Sequence, residues 1–140
     1  MTRADPTIVR KVQDSFAKQG FLKTFDAEIV EILQGSVTLS APLLPRASQQ
    51  HGYGHAGLSF ALGDSAAGYA ALTLLPPEAE VLTVEMKINL LAPARGDRLI
   101  ATGRVLRPGR RLSVVSAEVW AETGTSRKPV ALLQGTMIPA

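Results

Sequence analysis

Asp64 is the only charged residue in the twenty-residue run from Ala56 to Leu75, AGLSFALGDSAAGYAALTLL. Desolvating a carboxylate costs on the order of several kcal/mol unless partners compensate, so an acid in so apolar a run serves something other than stability. Just upstream, Ser48 to Gly57 reads SQQHGYGHAG. A buried acid beside a polar, glycine-rich helix entry points to an active site, with Asp64, His51, His55, Gln49 and Gln50 as the groups that have chemistry to offer. Other chemistries find less support. There is no cysteine, hence no thiolate nucleophile, disulfide or thiolate metal site. Ser59 and Ser65 lack the G-x-S-x-G elbow of serine hydrolases. His51 and His55 as a metal pair have no evident third ligand, so no metal is expected.

These residues need a scaffold. At 140 residues the chain reads as one domain, 1–140, large enough for a sizeable core. The N-terminal MTRADPTIVRKVQDS carries no secretory-type apolar segment, and absence of cysteine fits a reducing compartment, so a cytoplasmic location is expected. Fifteen basic against twelve acidic residues leave a mild +3. Their clustering matters more: Arg104, Arg107, Arg110 and Arg111 lie within eight residues, with Arg127 and Lys128 at the following turn. That distribution suits a polyanionic small ligand better than nucleic acid, because aromatics are only 5% and no stacking platform is interleaved. The run Ala56–Leu75 has the length of a membrane span. Its Gly, Ala and Ser content, and Asp64, make it a core helix instead, and no membrane partner is expected.

Asp5-Pro6 starts a helix, with Asp as N-cap and Pro at the first helical position, and Val9, Val12 and Phe16 recur at helical spacing up to a stop at Gly20. Phe25, Ala27 and Ile29 alternate with polar neighbours as a strand whose alternation slips at Val30, a bulge signal. Gln34-Gly35 turns into a second strand, Ser36–Ala41. A loop to Gly54 leads into the long helix, 55–75, which Pro76-Pro77 ends. Four strands follow: Val81–Leu91, Asp97–Leu106, Leu112–Ala121 and, after a turn from Thr123 to Pro129, Val130–Ile138. The first would send Leu82, Val84, Met86, Ile88 and Leu90 to one face and Thr83, Glu85, Lys87 and Asn89 to the other. The third would turn Ser113, Val115, Ala117 and Val119 to the core. A helix apolar nearly all round needs cover on several sides. Small residues at 61, 63 and 66–68 allow close approach of a sheet or a second subunit, so a dimer is expected.

This order of elements resembles the hotdog fold, an α+β architecture in which a curved antiparallel sheet of about six strands wraps a long central helix. The segment Gln49–Asp64 resembles the phenylacetic-acid-degradation type of hotdog acyl-CoA thioesterase. That family's signature is an Asn or Gln, then G-x-x-H-G-G, then an acid nine residues after the histidine. It reads here as Gln49, Gly52, His55-Ala56-Gly57 and Asp64. TVEMKINLLAPARGD, Thr83 to Asp97, resembles the family's central strand. One departure is Ala56, where the family has glycine; a position needing positive φ would resist alanine.

The resemblance implies hydrolysis of a small or aromatic acyl-CoA to free acid and coenzyme A, with no cofactor beyond the coenzyme A of the substrate. Helix-entry amides at Ala56 and Gly57 would polarise the thioester carbonyl. Asp64 lies about 12 Å along the helix from Ala56, too far to share one carbonyl. The family builds its site across a homodimer interface, so Asp64 of one chain would act with Gln49 and Ala56 of its partner, as nucleophile or by activating water. Thr83 matches a hydroxyl that bonds the acid or the lytic water, and His55 would fix the loop. Arg107, Arg110, Arg111, Arg127 and Lys128 become contacts for coenzyme A phosphates. Pairing of dimers into a tetramer is a further expectation. The competing readings are a non-catalytic acyl-CoA-binding or sensing module and a hotdog enoyl-CoA hydratase.

Overall fold

Asp5 caps the first helix through its carboxylate, which accepts from the Thr7 amide at 2.8 Å, with Pro6 at the first position. This computed structural model describes residues 2–140. Helix α1 (Pro6–Ala17) ends at Lys18, and a five-residue α2 (Gly20–Thr24) follows. Gly20 therefore opens a second helix rather than stopping the first. Leu22, fully buried, anchors α2, and its carbonyl accepts from Phe25 and Ala27 as the chain turns through Asp26, φ 56°. The strand expected from Phe25 accordingly begins only at Glu28.

Six strands form one antiparallel sheet in the order β1-β2-β4-β5-β6-β3. They are β1 (Glu28–Leu33), β2 (Ser36–Pro42), β3 (Val81–Leu90), β4 (Arg98–Arg107), β5 (Ser113–Thr123) and β6 (Ser126–Pro139). A register shift between Ile29 and Glu31 puts a bulge at Val30, as the slipped alternation predicts. Gly35, φ 80°, makes the β1–β2 turn. On β5 the inward set Ser113, Val115, Ala117 and Val119 is buried. Gly124, φ 56°, closes a tight hairpin, so Arg127 and Lys128 belong to β6 and not to an extended turn.

The long helix α3 (Ala56–Leu72) lies across the sheet, three residues shorter at its C-terminal end than the expected 55–75. Small residues bring it down onto the strands. A Cβ at Gly103 of β4 would sit 2.3 Å from the Ala66 carbonyl carbon and the Ala67 nitrogen, so backbone meets backbone there. Thr73 fastens the far end, donating to the Ala70 carbonyl (2.6 Å) and accepting from the Gly35 amide (2.8 Å). The Lys11 ammonium reaches the Pro76, Pro77 and Ala79 carbonyls, which holds α1 against the segment following α3.

β3 departs from its expected facing. A register shift between Thr83 and Glu85 inserts one residue against β6, and a single inserted residue exchanges the faces on either side of it. Met86 and Ile88 pack on the core, while Leu82 and Val84, expected beside them, are 59% and 56% exposed. Thr83, assigned to the opposite face, turns inward with the core residues. β3 is also a sheet edge: its other side has no strand partner among the described residues.

Candidate active site

Asp64 projects from the middle of α3, and the inward turn of Thr83 brings that hydroxyl to it. Thr83 Oγ1 donates to Asp64 Oδ1 at 2.8 Å and also lies 3.2 Å from the Met137 sulfur. Burial pushes the Asp64 carboxyl up from the usual range by desolvating its charged form, and the Thr83 bond partly opposes this. A carboxylate with raised basicity and one oxygen steadied by a hydroxyl is suited to deprotonate water or to attack a carbonyl. Asp64 and Thr83 line a cavity of about 220 Å³, walled on one side by Ser15 of α1 and by Gln19, the N-cap of α2. The N-terminal helix therefore covers this cavity.

The helix entry lies in a different cavity. Gln49, His55, Ala56 and Ser59 line a space of about 590 Å³ with Leu90, Leu91 and the turn Ala92–Ala94. His55 is the N-cap, its Nδ1 accepting from the Gly57 amide at 2.8 Å. That bond fixes the ring with its proton on Nε2 when neutral, and it occupies the Gly57 N–H, one of the two donors expected for a carbonyl. The Ala56 N–H, at the first helical position, has no intrahelical acceptor, and Ala56 lines the cavity. Alanine is no handicap there. Asp26 is the only non-glycine with positive φ among the described residues, so position 56 does not need glycine.

Gln49 is held by its own loop. Its Oε1 accepts from the amides of His51 (2.5 Å) and Tyr53 (3.3 Å), which commits the oxygen and leaves the NH2 group to donate. Gln50 and His51 are exposed and line neither cavity. No cluster of three metal-ligating side chains occurs among the described residues, and no helix there is long and apolar enough to cross a membrane.

Two cavities with no lining residue in common thus hold the two halves of the expected site, one at the entry of α3 and the other along its middle and C-terminal half. The arginines divide in the same way. Arg107, Arg110 and Arg111 sit at the β4–β5 connection and Arg127 and Lys128 at the β5–β6 end. The eleven residues of β5 separate them, about 35 Å. One protomer therefore does not bring them together. Arg127 is also paired, its Nε 2.9 Å from Glu122. Beside Arg127 and Lys128 lies Arg95, which sequence spacing missed. Its guanidinium donates to the Tyr53 hydroxyl at 2.9 Å and stands 5.0 Å from the ring centroid. The Pro93–Arg95 turn that follows β3 was the available signal.

The profile of the thioesterase superfamily matches residues 51–128, more than half of the chain. A thioesterase family protein from Silicibacter pomeroyi superimposes with a TM-score of 0.92 at 41% identity, covering 94% of this chain and 97% of the other. The PaaI protein of the E. coli phenylacetic acid degradation operon shares the fold, with a TM-score of 0.85 at 21% identity over 96% of this chain and 94% of its own. A 1,4-dihydroxy-2-naphthoyl-CoA hydrolase of Listeria monocytogenes is 27% identical over 104 residues, 74% of this chain and 85% of its own. The chain belongs to the thioesterase superfamily: it is a hotdog-fold thioester hydrolase.

Proposed function

We propose that the chain hydrolyses small or aromatic acyl-CoA thioesters as a homodimer, each site pairing Asp64 of one protomer with Ala56 and Gln49 of its partner. The observation that carries this reading is the separation of acid and amide donor into two cavities on one helix. Only a second copy can unite them, and the open edge β3 offers the means. Leu82, Val84 and Leu90 are each more than half exposed along it, a surface that solitary sheets rarely leave bare. Antiparallel pairing of β3 with its two-fold mate sets the Val81 end of one strand beside the Leu90 end of the other. Thr83 and Asp64 belong to the first end, and Leu90, Leu91 and the amide cavity to the second.

In such a dimer the thioester carbonyl accepts from the Ala56 N–H of one protomer, at the positive end of the α3 dipole. Asp64 of the other attacks the carbonyl carbon or takes a proton from the attacking water. The Gln49 NH2 group steadies water or the thioester. The C–S bond breaks, and the coenzyme A thiolate leaves and takes up a proton; where Asp64 itself attacks, water then cleaves the acyl–Asp64 anhydride, releasing the free acid and restoring the carboxylate. The same two-fold brings Arg110 and Arg111 of one protomer toward Arg127, Lys128 and Arg95 of its partner. Groups about 35 Å apart within one chain then flank one substrate, and guanidinium groups suit its phosphates. The test is release of free thiol from a panel of acyl-CoAs, abolished by Asp64→Asn with the fold intact. Micromolar binding without thiol release would instead identify a binding module.

A further inference from the structure

We propose that Tyr53 is a positioning residue that couples the carrier half of the substrate to the catalytic loop: a phosphate held at Arg95 fixes Gln49 for reaction. This rests on the reading of Gln49 as the group that steadies water or the thioester. Tyr53 reaches in two directions. Its backbone holds Gln49: the Tyr53 carbonyl accepts from the Gln49 amide at 2.8 Å, and the Tyr53 N–H donates to Gln49 Oε1 at 3.3 Å. Its side chain holds Arg95: the hydroxyl accepts from the guanidinium at 2.9 Å, and the ring centroid lies 5.0 Å from Arg95 Cζ. The next residue adds a third fastening. The Gly54 amide donates to the Ala94 carbonyl at 2.8 Å, and a Cβ at Gly54 would meet Leu43 Cδ2 at 2.6 Å and Ala94 Cβ at 3.1 Å. Loop and turn are packed too closely here to shift independently.

Pro93 of that turn lines both the cavity of about 590 Å³ that holds Gln49 and Ala56 and a basic one of about 310 Å³ with Arg95, Arg127 and Lys128. A thioester in the first and a phosphate in the second therefore lie on either side of the Tyr53–Arg95 contact. Arg95 is the guanidinium free to answer. Arg127 faces Glu122, whereas the partners of Arg95 are a hydroxyl and an aromatic face, which orient its charge without neutralising it. An exposed arginine gives up rotamer freedom to stay on Tyr53, and a phosphate that accepts from its other N–H groups offsets that cost. The Tyr53 ring is then held in one geometry, and through the Tyr53 backbone so is the Gln49 oxygen. The same bond aims the Gln49 NH2 group. Binding of the remote phosphate is in this way expressed in kcat as well as in KM.

The experiment sets one acyl group on two carriers, benzoyl-CoA and phosphate-free benzoyl-pantetheine, and takes kcat and KM separately from thiol release. We expect kcat about tenfold higher on coenzyme A. Tyr53→Phe keeps the ring and backbone but loses the hydroxyl, and should lower kcat for benzoyl-CoA about fivefold while benzoyl-pantetheine changes by less than about twofold. Arg95→Met should do the same and also raise KM for benzoyl-CoA. The double variant should fall no further than Arg95→Met, because the two residues act through one contact. Arg95→Met, at an exposed side chain, carries the test if Tyr53→Phe proves hard to fold. Equal kcat on both carriers in the wild-type protein, with the difference confined to KM, overturns the coupling and leaves a plain phosphate contact. Equal losses on both carriers in the variants make Tyr53 merely structural and overturn it too. No thiol from either carrier overturns the thioesterase reading of the site itself, and the inference with it.

Discussion

Ala56→Pro removes one N–H and little else. Proline lacks the amide proton but is favoured at the first helical position, where its fixed φ is already that of a helix. It also restricts the residue before it to extended backbone, and His55 already has φ −63° and ψ 138°. The His55–Gly57 cap is untouched. If Ala56 is the carbonyl's donor, its loss costs what removal of one oxyanion donor costs elsewhere, about 3 kcal/mol, or on the order of 10²-fold in kcat. KM should move little, because the donor matters most as negative charge develops on the oxygen. The assay is steady-state thiol release, with Ala56→Gly as the control that keeps the N–H and should keep near-normal rates. The thermal midpoint should stay within about 2 °C of wild type, proline at this position being neutral or slightly stabilising. A folded Ala56→Pro protein with kcat within about threefold of wild type would show that another group holds the oxygen.

Asp64→Asn should remove activity and raise stability. The folded-state pKa of Asp64 is raised, so its protonated form favours folding below the unfolded pKa, and that contribution is lost as pH rises through the folded value. At neutral pH the charged acid therefore costs stability that asparagine does not, about 0.5 kcal/mol once screening of a partly solvated group is allowed for. Urea unfolding at pH 7 should favour the variant and converge with wild type in acid; a less stable variant at pH 7 would contradict the assignment. Thr83→Val deletes the bond that lowers the Asp64 pKa. The acid limb of kcat/KM should move to higher pH, with a loss near neutrality of about fivefold for about 1 kcal/mol. An unmoved limb would mean that the limb reports some other group. The acyl-CoA panel with Asp64→Asn should show thiol release that vanishes in the variant, and release that survives would rule out Asp64.

Features local in sequence were legible. Asp5-Pro6, the slip at Val30 and the inward set on β5 each need only near neighbours, and each appears where expected. The facing of β3 was not. VLTVEMKINL alternates smoothly, and the bulge between Thr83 and Glu85 is imposed by the register with β6, which no local pattern encodes. Periodicity sent Thr83 away from the core, and only the resemblance matched it to a hydroxyl serving the acid. The arginines misled for a related reason: Arg111 and Arg127 are close in sequence, yet one strand carries the chain across the sheet between them. The engagement of Gly57 by His55 needed a side-chain rotamer.

Mixing two inactive variants tests most directly whether each site needs two protomers. Asp64→Asn and Ala56→Pro homodimers each lack half of every site. When subunits are exchanged, a heterodimer holds one doubly defective site and one with both Asp64 and the Ala56 amide intact. Statistical exchange makes about half of the dimers mixed, so about a quarter of wild-type activity should return. If the exchanged mixture, verified by mass, stays as inactive as its parents, acid and amide act within one chain and the shared-site account is wrong.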